Sequence, residues 1–170
     1  MMWTRLHWVD GPWPGKFALV ARPRGGEWLD DEIQSWQREG VGSVFSLLTP
    51  EEEIALDITA EASTVRTYGL RFYSLPILDR EVPKSEIQLS QALWRLDTEL
   101  EAGCNVVIHC RQGVGRTGLV AAGLLVMNGM QPETAVQRLT VARGVPVPET
   151  QEQRRWIDQY AKKFTVRHGR

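Results

Sequence analysis

Ten residues in the second half of the chain limit its architecture most: His109-Cys110-Arg111-Gln112-Gly113-Val114-Gly115-Arg116-Thr117-Gly118. They follow the apolar run Val106-Val107-Ile108 and precede Leu119-Val120-Ala121-Ala122. A short, wholly apolar run ending in turn residues has the pattern of a strand buried on both faces. The stretch from about Gly118 to Asn128 has almost no polar face, so it reads as a helix enclosed on all sides. A strand and a helix that are both enclosed need layers above and below them. The segment therefore predicts an α/β sandwich in which this loop leaves the carboxyl end of a strand, where such folds hold ligands.

The rest of the chain alternates in the same way. Trp3 to Val9 and Lys16 to Ala21 read as strands joined by a Pro/Gly turn. Leu29 to Glu39 reads as a helix stopped by Gly40, and Val41 to Leu48 as a buried strand. Thr49-Pro50-Glu51-Glu52 carries an N-cap, an N1 proline and a capping-box glutamate, opening a helix that reaches Ala62 or frays earlier. Leu70 to Leu75 is the next strand. Ser85 with Gln88 starts a helix whose stripe is Leu89, Leu93, Leu96 and Leu100, ended by Gly103. Pro132 opens another helix that closes near Gly144. Thr150 with Gln153 caps the last, running to about Phe164, with a loose basic tail over 165–170. At 170 residues the expectation is one domain, in which residues 1–28 are the least typical part.

The loop itself specifies a chemistry. A strand entering a helix through a tight turn collects main-chain N–H groups and the positive end of the helix dipole. That is an anion cup suited to phosphate. Gly113 and Gly115 let the backbone curl. Cys110 sits at its mouth. Free thiols titrate near ~8.5, and helix N-termini or cations lower that to roughly 3.5–7.5, which favours the nucleophilic thiolate. Arg116, six positions beyond Cys110, offers a planar fork for two phosphate oxygens. Thr117 follows, where its hydroxyl can donate to the sulfur. The candidate phosphate-binding set is Arg111, Gln112, Gly113, Val114, Gly115 and Arg116.

This loop resembles the His-Cys-x5-Arg-Ser/Thr signature of the cysteine-based protein tyrosine phosphatases. It is most similar to their compact dual-specificity branch, whose loops often end Gly-x-Gly-Arg-Thr-Gly. The resemblance implies a central mixed, mostly parallel sheet flanked by helices, a phosphocysteine intermediate and no metal or other cofactor. It implies Cys110 as nucleophile, Arg116 as phosphate ligand, Thr117 as an aid to hydrolysis, and His109 as the residue that orders the loop and tunes the thiolate. A hydrogen-bonded histidine ending a strand is the plain alternative for His109.

A poor leaving oxygen also needs a proton donor. The stretch Leu75 to Ser85 follows a strand, precedes a helix and is framed by Pro76 and Pro83, so it reads as a loop. Asp79 lies 31 positions before Cys110 (110 − 79). In the resembled family an aspartate in a Pro-x-x-Asp-x-x-x-Pro context serves as acid and then base, and Asp79 matches that register. Glu81 is the competing carboxylate, and an ordinary turn aspartate is the bland reading of Asp79.

Composition narrows partners. A net charge of −1 draws the chain to neither nucleic acid nor anionic lipid, so no nucleic-acid or membrane partner is expected. Two cysteines rule out a disulfide framework or a zinc site, and a reactive thiol suits a reducing compartment, so the expectation is cytoplasmic. No segment resembles a signal peptide or a membrane span. A monomer fits the sequence, which leaves the oligomeric state open.

The expected substrate is a phosphorylated protein or peptide, on tyrosine and also on serine or threonine. Phosphoinositides, inositol phosphates and RNA 5′-phosphates are the alternatives, followed by a silent phosphate-binding module and a persulfide-forming sulfur transferase. Four of the seven tryptophans (Trp3, Trp8, Trp13, Trp28) fall near the N-terminus, as a packed hairpin or as an aromatic wall beside the pocket. Arg143 reads as a partner of its helix's C-terminal dipole, with a place on the substrate approach as the other reading. Gln151 and Gln153 fall where some relatives orient water. Cys104 is a structural cysteine or a redox partner of Cys110.

Overall fold

The computed structural model describes residues 3–168. Five strands form one sheet: β1 (His7–Val9), β2 (Phe17–Val20), β3 (Val41–Ser46), β4 (Arg71–Ser74) and β5 (Asn105–His109). Their order is β1-β2-β5-β3-β4. β2, β5, β3 and β4 run parallel, and β1 closes one edge antiparallel to β2. The helices are α1 (Leu29–Arg38), α2 (Pro50–Ala55), α3 (Glu61–Thr67), α4 (Glu86–Glu101), α5 (Gly115–Met127), α6 (Pro132–Arg143) and α7 (Gln151–His168).

The strands alternate side chains between two cores, as a period of two requires. Phe17, Leu19, Phe45, Val106 and Ile108 face α4 to α7. Ala18, Val20, Val44 and Val107 face α1 and α3 with Ile33, Trp36 and Val65. This is the expected three-layer α/β sandwich with a mixed, mostly parallel sheet. Every residue of α5 from Gly115 to Val126 is buried, which explains why its sequence carries no polar face. Because four strands are parallel, their carboxyl ends open on the same rim of the sheet. That rim receives the connections that carry Arg22, Glu52, Asp79 and Cys110.

Several expected boundaries move. The first strand begins at His7 rather than Trp3, because Thr4 spends its N–H and hydroxyl on the buried Glu32 carboxylate instead of a ladder. The helix opened by Pro50 stops at Ala55, where Asp57 turns to φ 56° and Ile58 plunges into the core. A separate helix, α3, then follows. The helix after the cysteine loop starts at Gly115, three residues before the expected Gly118, so Arg116 and Thr117 belong to its first turn. The last helix continues past Phe164 to His168, and of the expected loose tail residues 169–170 lie outside the described residues.

Candidate active site

Cys110 follows the last residue of β5 and is 3% exposed, at a small pocket of about 30 Å³ lined also by Asp79, Arg111, Gln112, Gly115, Arg116 and Glu149. A groove of about 1140 Å³ between β4, α4 and the end of α7 is far larger but is not lined by the cysteine. Three carbonyls hold the loop from outside. Arg22 N–H donates to Arg111 O (3.2 Å), Arg143 Nη2 to Gln112 O (3.0 Å) and Arg143 Nε to Gly113 O (3.1 Å). In a trans peptide the C=O and the following N–H point opposite ways. The N–H groups of Gln112, Gly113 and Val114 are thus turned away from these outer donors. Arg143 therefore does more than meet its helix's dipole: it scaffolds the loop.

Gly113 and Val114 are not among the residues that line the pocket, and their place in the phosphate-binding set rests on their main-chain N–H groups. Gly113 has φ 72°, and a Cβ there would stand 2.5 Å from the Val20 carbonyl carbon, so this turn is pressed against β2 and needs glycine. Thr117 is fully buried behind the pocket, and its Oγ1 makes no hydrogen bond, the expected one to the cysteine sulfur included.

Arg116 is 1% exposed and turned toward carboxylates. Glu52 takes it bidentately, at 2.8 Å to Nη1 and 2.9 Å to Nη2. Nη1 also donates to Ile77 O (2.8 Å), and Nη2 to Asp79 Oδ1 (3.1 Å). Its Nε is buried and unpartnered. A buried guanidinium needs such partners, since leaving it unpaired costs several kcal/mol. Burial by itself pushes the Glu52 carboxyl up, but the hydrogen bonds and charge of Arg116 and the Thr49 cap outweigh it and hold it below the usual range. Sequence reasoning read Glu52 only as a capping residue, which it also is.

His109 is fully buried, with Nε2 2.5 Å from Glu61 Oε1 and Nδ1 3.2 Å from Cys110 O. Burial disfavours its charged form, but Glu61's charge and hydrogen bond prevail, raising its pKa above the ordinary histidine value. Both ring nitrogens thus face oxygen acceptors, which fixes the imidazole at the end of the strand that leads to the cysteine. Glu61 was not foreseen, because it opens the helix that was not expected.

Other sequence candidates lie elsewhere. Cys104 precedes β5 and Cys110 follows it, so at ~3.3 Å per residue the two are about 20 Å apart and cannot pair. Cys104 instead sits among Ser43, Arg71 and Glu99. Trp13 is buried against Phe17 and donates to Asp97 (2.8 Å), at the end of the sheet opposite the cysteine. Trp3 and Trp28 flank Arg24, and Trp8 carries Lys16 over its ring. None of the four lines the small pocket.

Among the described residues no helix is long and apolar enough to cross a membrane. No group of three or more His, Cys, Asp or Glu side chains among them is placed to hold a metal ion.

Similarity to known proteins agrees with this geometry. The chain is 33% identical over 87 residues to a putative tyrosine phosphatase (197R) of Invertebrate iridescent virus 6, covering 49% of this chain. It is 31% identical over 134 residues to the phosphatidylinositol 3,4,5-trisphosphate 3-phosphatase and protein-tyrosine-phosphatase PTEN1 of Arabidopsis thaliana, covering 74% of this chain. It spans only 31% of the length of each. Its fold matches the crystal structure of kinase associated phosphatase carrying a serine in place of the catalytic-site cysteine, with a TM-score of 0.90 at 20% identity over 98% of both chains. A model of the Swiss Army Knife phosphatase family (PTP-SAK, a DSP-PTPase phosphatase domain) matches residues 4–167. With that match over nearly its whole length, the chain belongs to the dual-specificity-type branch of the cysteine-dependent phosphatases.

Proposed function

We propose that this chain hydrolyses phosphate monoesters of proteins through a phosphocysteine, acting on phosphotyrosine and also on phosphoserine and phosphothreonine. One observation carries the reading: a single small pocket is lined jointly by Cys110, Arg116 and Asp79. Cys110 attacks phosphorus in line. Arg116 and the N–H groups of the loop stabilise the equatorial oxygens as charge develops on them. Asp79 gives its proton to the leaving oxygen, and then takes one from the water that cleaves the thiophosphate. Thr117, buried in the first turn of α5, assists the departure of sulfur. His109, held by Glu61, orders the end of the strand that carries the nucleophile.

Residues 1–170 act as one phosphatase domain. The unpaired thiols of Cys104 and Cys110 suit the cytoplasm.

The test is turnover by the purified chain against aryl phosphates, phosphopeptides, inositol phosphates and nucleotides. Phosphopeptides are the expected best substrates, vanadate inhibits, EDTA does not, and Cys110→Ala abolishes turnover while retaining the fold. Turnover surviving in Cys110→Ala overturns the mechanism, and a preference for inositol phosphates overturns the substrate class.

A further inference from the structure

Arg80, the neighbour of Asp79, is one of two non-glycine residues with positive φ among the described residues, at 64°. Such a conformation is strained for a residue with a side chain and persists only where the surroundings hold it. Two side chains, one from the first turn of α7 and one from the turn before it, supply that hold. Gln153 Nε2 donates to Glu81 O (3.1 Å), two residues past Asp79, and Glu149 Oε2 pairs with Arg80 Nη1 (3.1 Å). Gln153 is fully buried, and its Oε1 accepts from the N–H groups of Glu149 and Thr150, both at 3.1 Å. Those two bonds use both lone pairs of the amide oxygen, so none remains to orient a water.

The same two side chains press on the cysteine loop. A Cβ at Gly115 would stand 3.0 Å from Glu149 Cβ and 3.1 Å from Gln153 Oε1. α7 also packs along α5, the helix that carries Arg116. The acid loop and the phosphate loop thus meet at one buried amide. The Arg80–Glu149 pair has an exposed guanidinium and is worth little alone. The buried Gln153 bond carries the contact, since breaking it strands polar groups away from water.

We propose that Gln153 is a positioning residue for the general acid: it clamps the loop of Asp79 over the pocket before substrate arrives. The proposal rests on the reading of Asp79 as the acid. Substitution by glutamate separates its two roles, because a carboxylate still accepts the two N–H groups that start α7 but cannot donate to Glu81 O. Gln153→Glu and the near-isosteric Gln153→Met are compared with wild type on aryl phosphates of graded leaving-group pKa. With dinitrophenyl phosphate, whose leaving group needs little protonation, kcat is expected to stay within about twofold. With phenyl phosphate kcat is expected to fall about tenfold, a fraction of the ~10²–10⁴ that a general acid supplies. A purely structural defect lowers kcat equally along the series, and a misplaced negative charge raises every KM in Gln153→Glu but not in Gln153→Met.

A flat loss, or none, in whichever variants fold overturns the clamp. Asp79→Asn is run beside them. If Asp79→Asn is selective for poor leaving groups and the Gln153 variants are not, only the clamp falls. If Asp79→Asn is itself unselective, the assignment of the acid falls and takes the clamp with it.

Discussion

Arg116 has five N–H donors, and four of them already meet protein oxygens: two on Glu52, one on Ile77 O and one on Asp79. Glu52 fixes the plane of the fork, while the Asp79 contact is the exposed and exchangeable one. In the proposed mechanism a phosphate oxygen would compete with Asp79 for Nη2, and Nε is unpartnered. Removing Glu52 strands a buried cation. Glu52→Ala is expected to cost about 3 kcal/mol, the low end for breaking a buried pair, since Ile77 O and Asp79 remain. Urea unfolding at pH 7 measures it, and a loss under 1 kcal/mol contradicts the assigned partnership. The local role of Glu52 was legible in Thr49-Pro50-Glu51-Glu52, because a capping box is closed within four residues. Its reach to Arg116, 64 positions away, was not.

Helix α4 shows how much an element declares of itself. Ser85 accepts from Gln88 N (3.1 Å), and the stripe Leu89, Leu93, Leu96 and Leu100 is fully or nearly fully buried, as the periodicity required. Adjacent positions test the register. Leu93, fully buried, should cost about 2–5 kcal/mol as Leu93→Ala. Trp94, 68% exposed, should stay within about 0.5 kcal/mol as Trp94→Ala, despite being the larger residue. Similar losses at both sites in urea unfolding would mean the helix is rotated. The region after Pro50 declared itself less well. α2 and α3 have six and seven residues, too short for a periodic stripe to stand out, and the left-handed Asp57 that separates them has no turn motif around it. Glu61 and its bond to His109 were hidden for that reason.

At the scale of the molecule the parallel sheet has two working ends. The carboxyl ends of the strands open on the cysteine pocket. The opposite end is fastened by a buried carboxylate, Glu99, which accepts from Ser43 Oγ (2.9 Å), Tyr73 OH (2.8 Å) and Arg71 Nε (2.9 Å), joining α4 to β3 and β4. Burial pushes this carboxyl up, but those hydrogen bonds prevail and hold it at about 2. Its folded pKa lies below the unfolded value of 4.5, so the stabilisation is complete above 4.5 and disappears as pH falls through about 2. Glu99→Gln is therefore expected to be less stable than wild type at pH 7, with the gap narrowing between pH 4.5 and 2. A gap that does not change with pH in denaturant titrations would remove Glu99 from that role. By itself the sequence determined the layered α/β class, the strand–loop–helix around Cys110 and the loop that carries Asp79, because each is encoded by neighbours within about a dozen residues. Only the tertiary structure decided that Glu52 holds Arg116, that Glu61 bonds His109, that Arg143 scaffolds the loop, that Gln153 meets the loop of Asp79, and that Cys104 lies a strand's length from Cys110. Those are contacts between segments far apart in the chain, and a parallel sheet sets them by stacking the ends of strands that carry no local record of which neighbour they will meet.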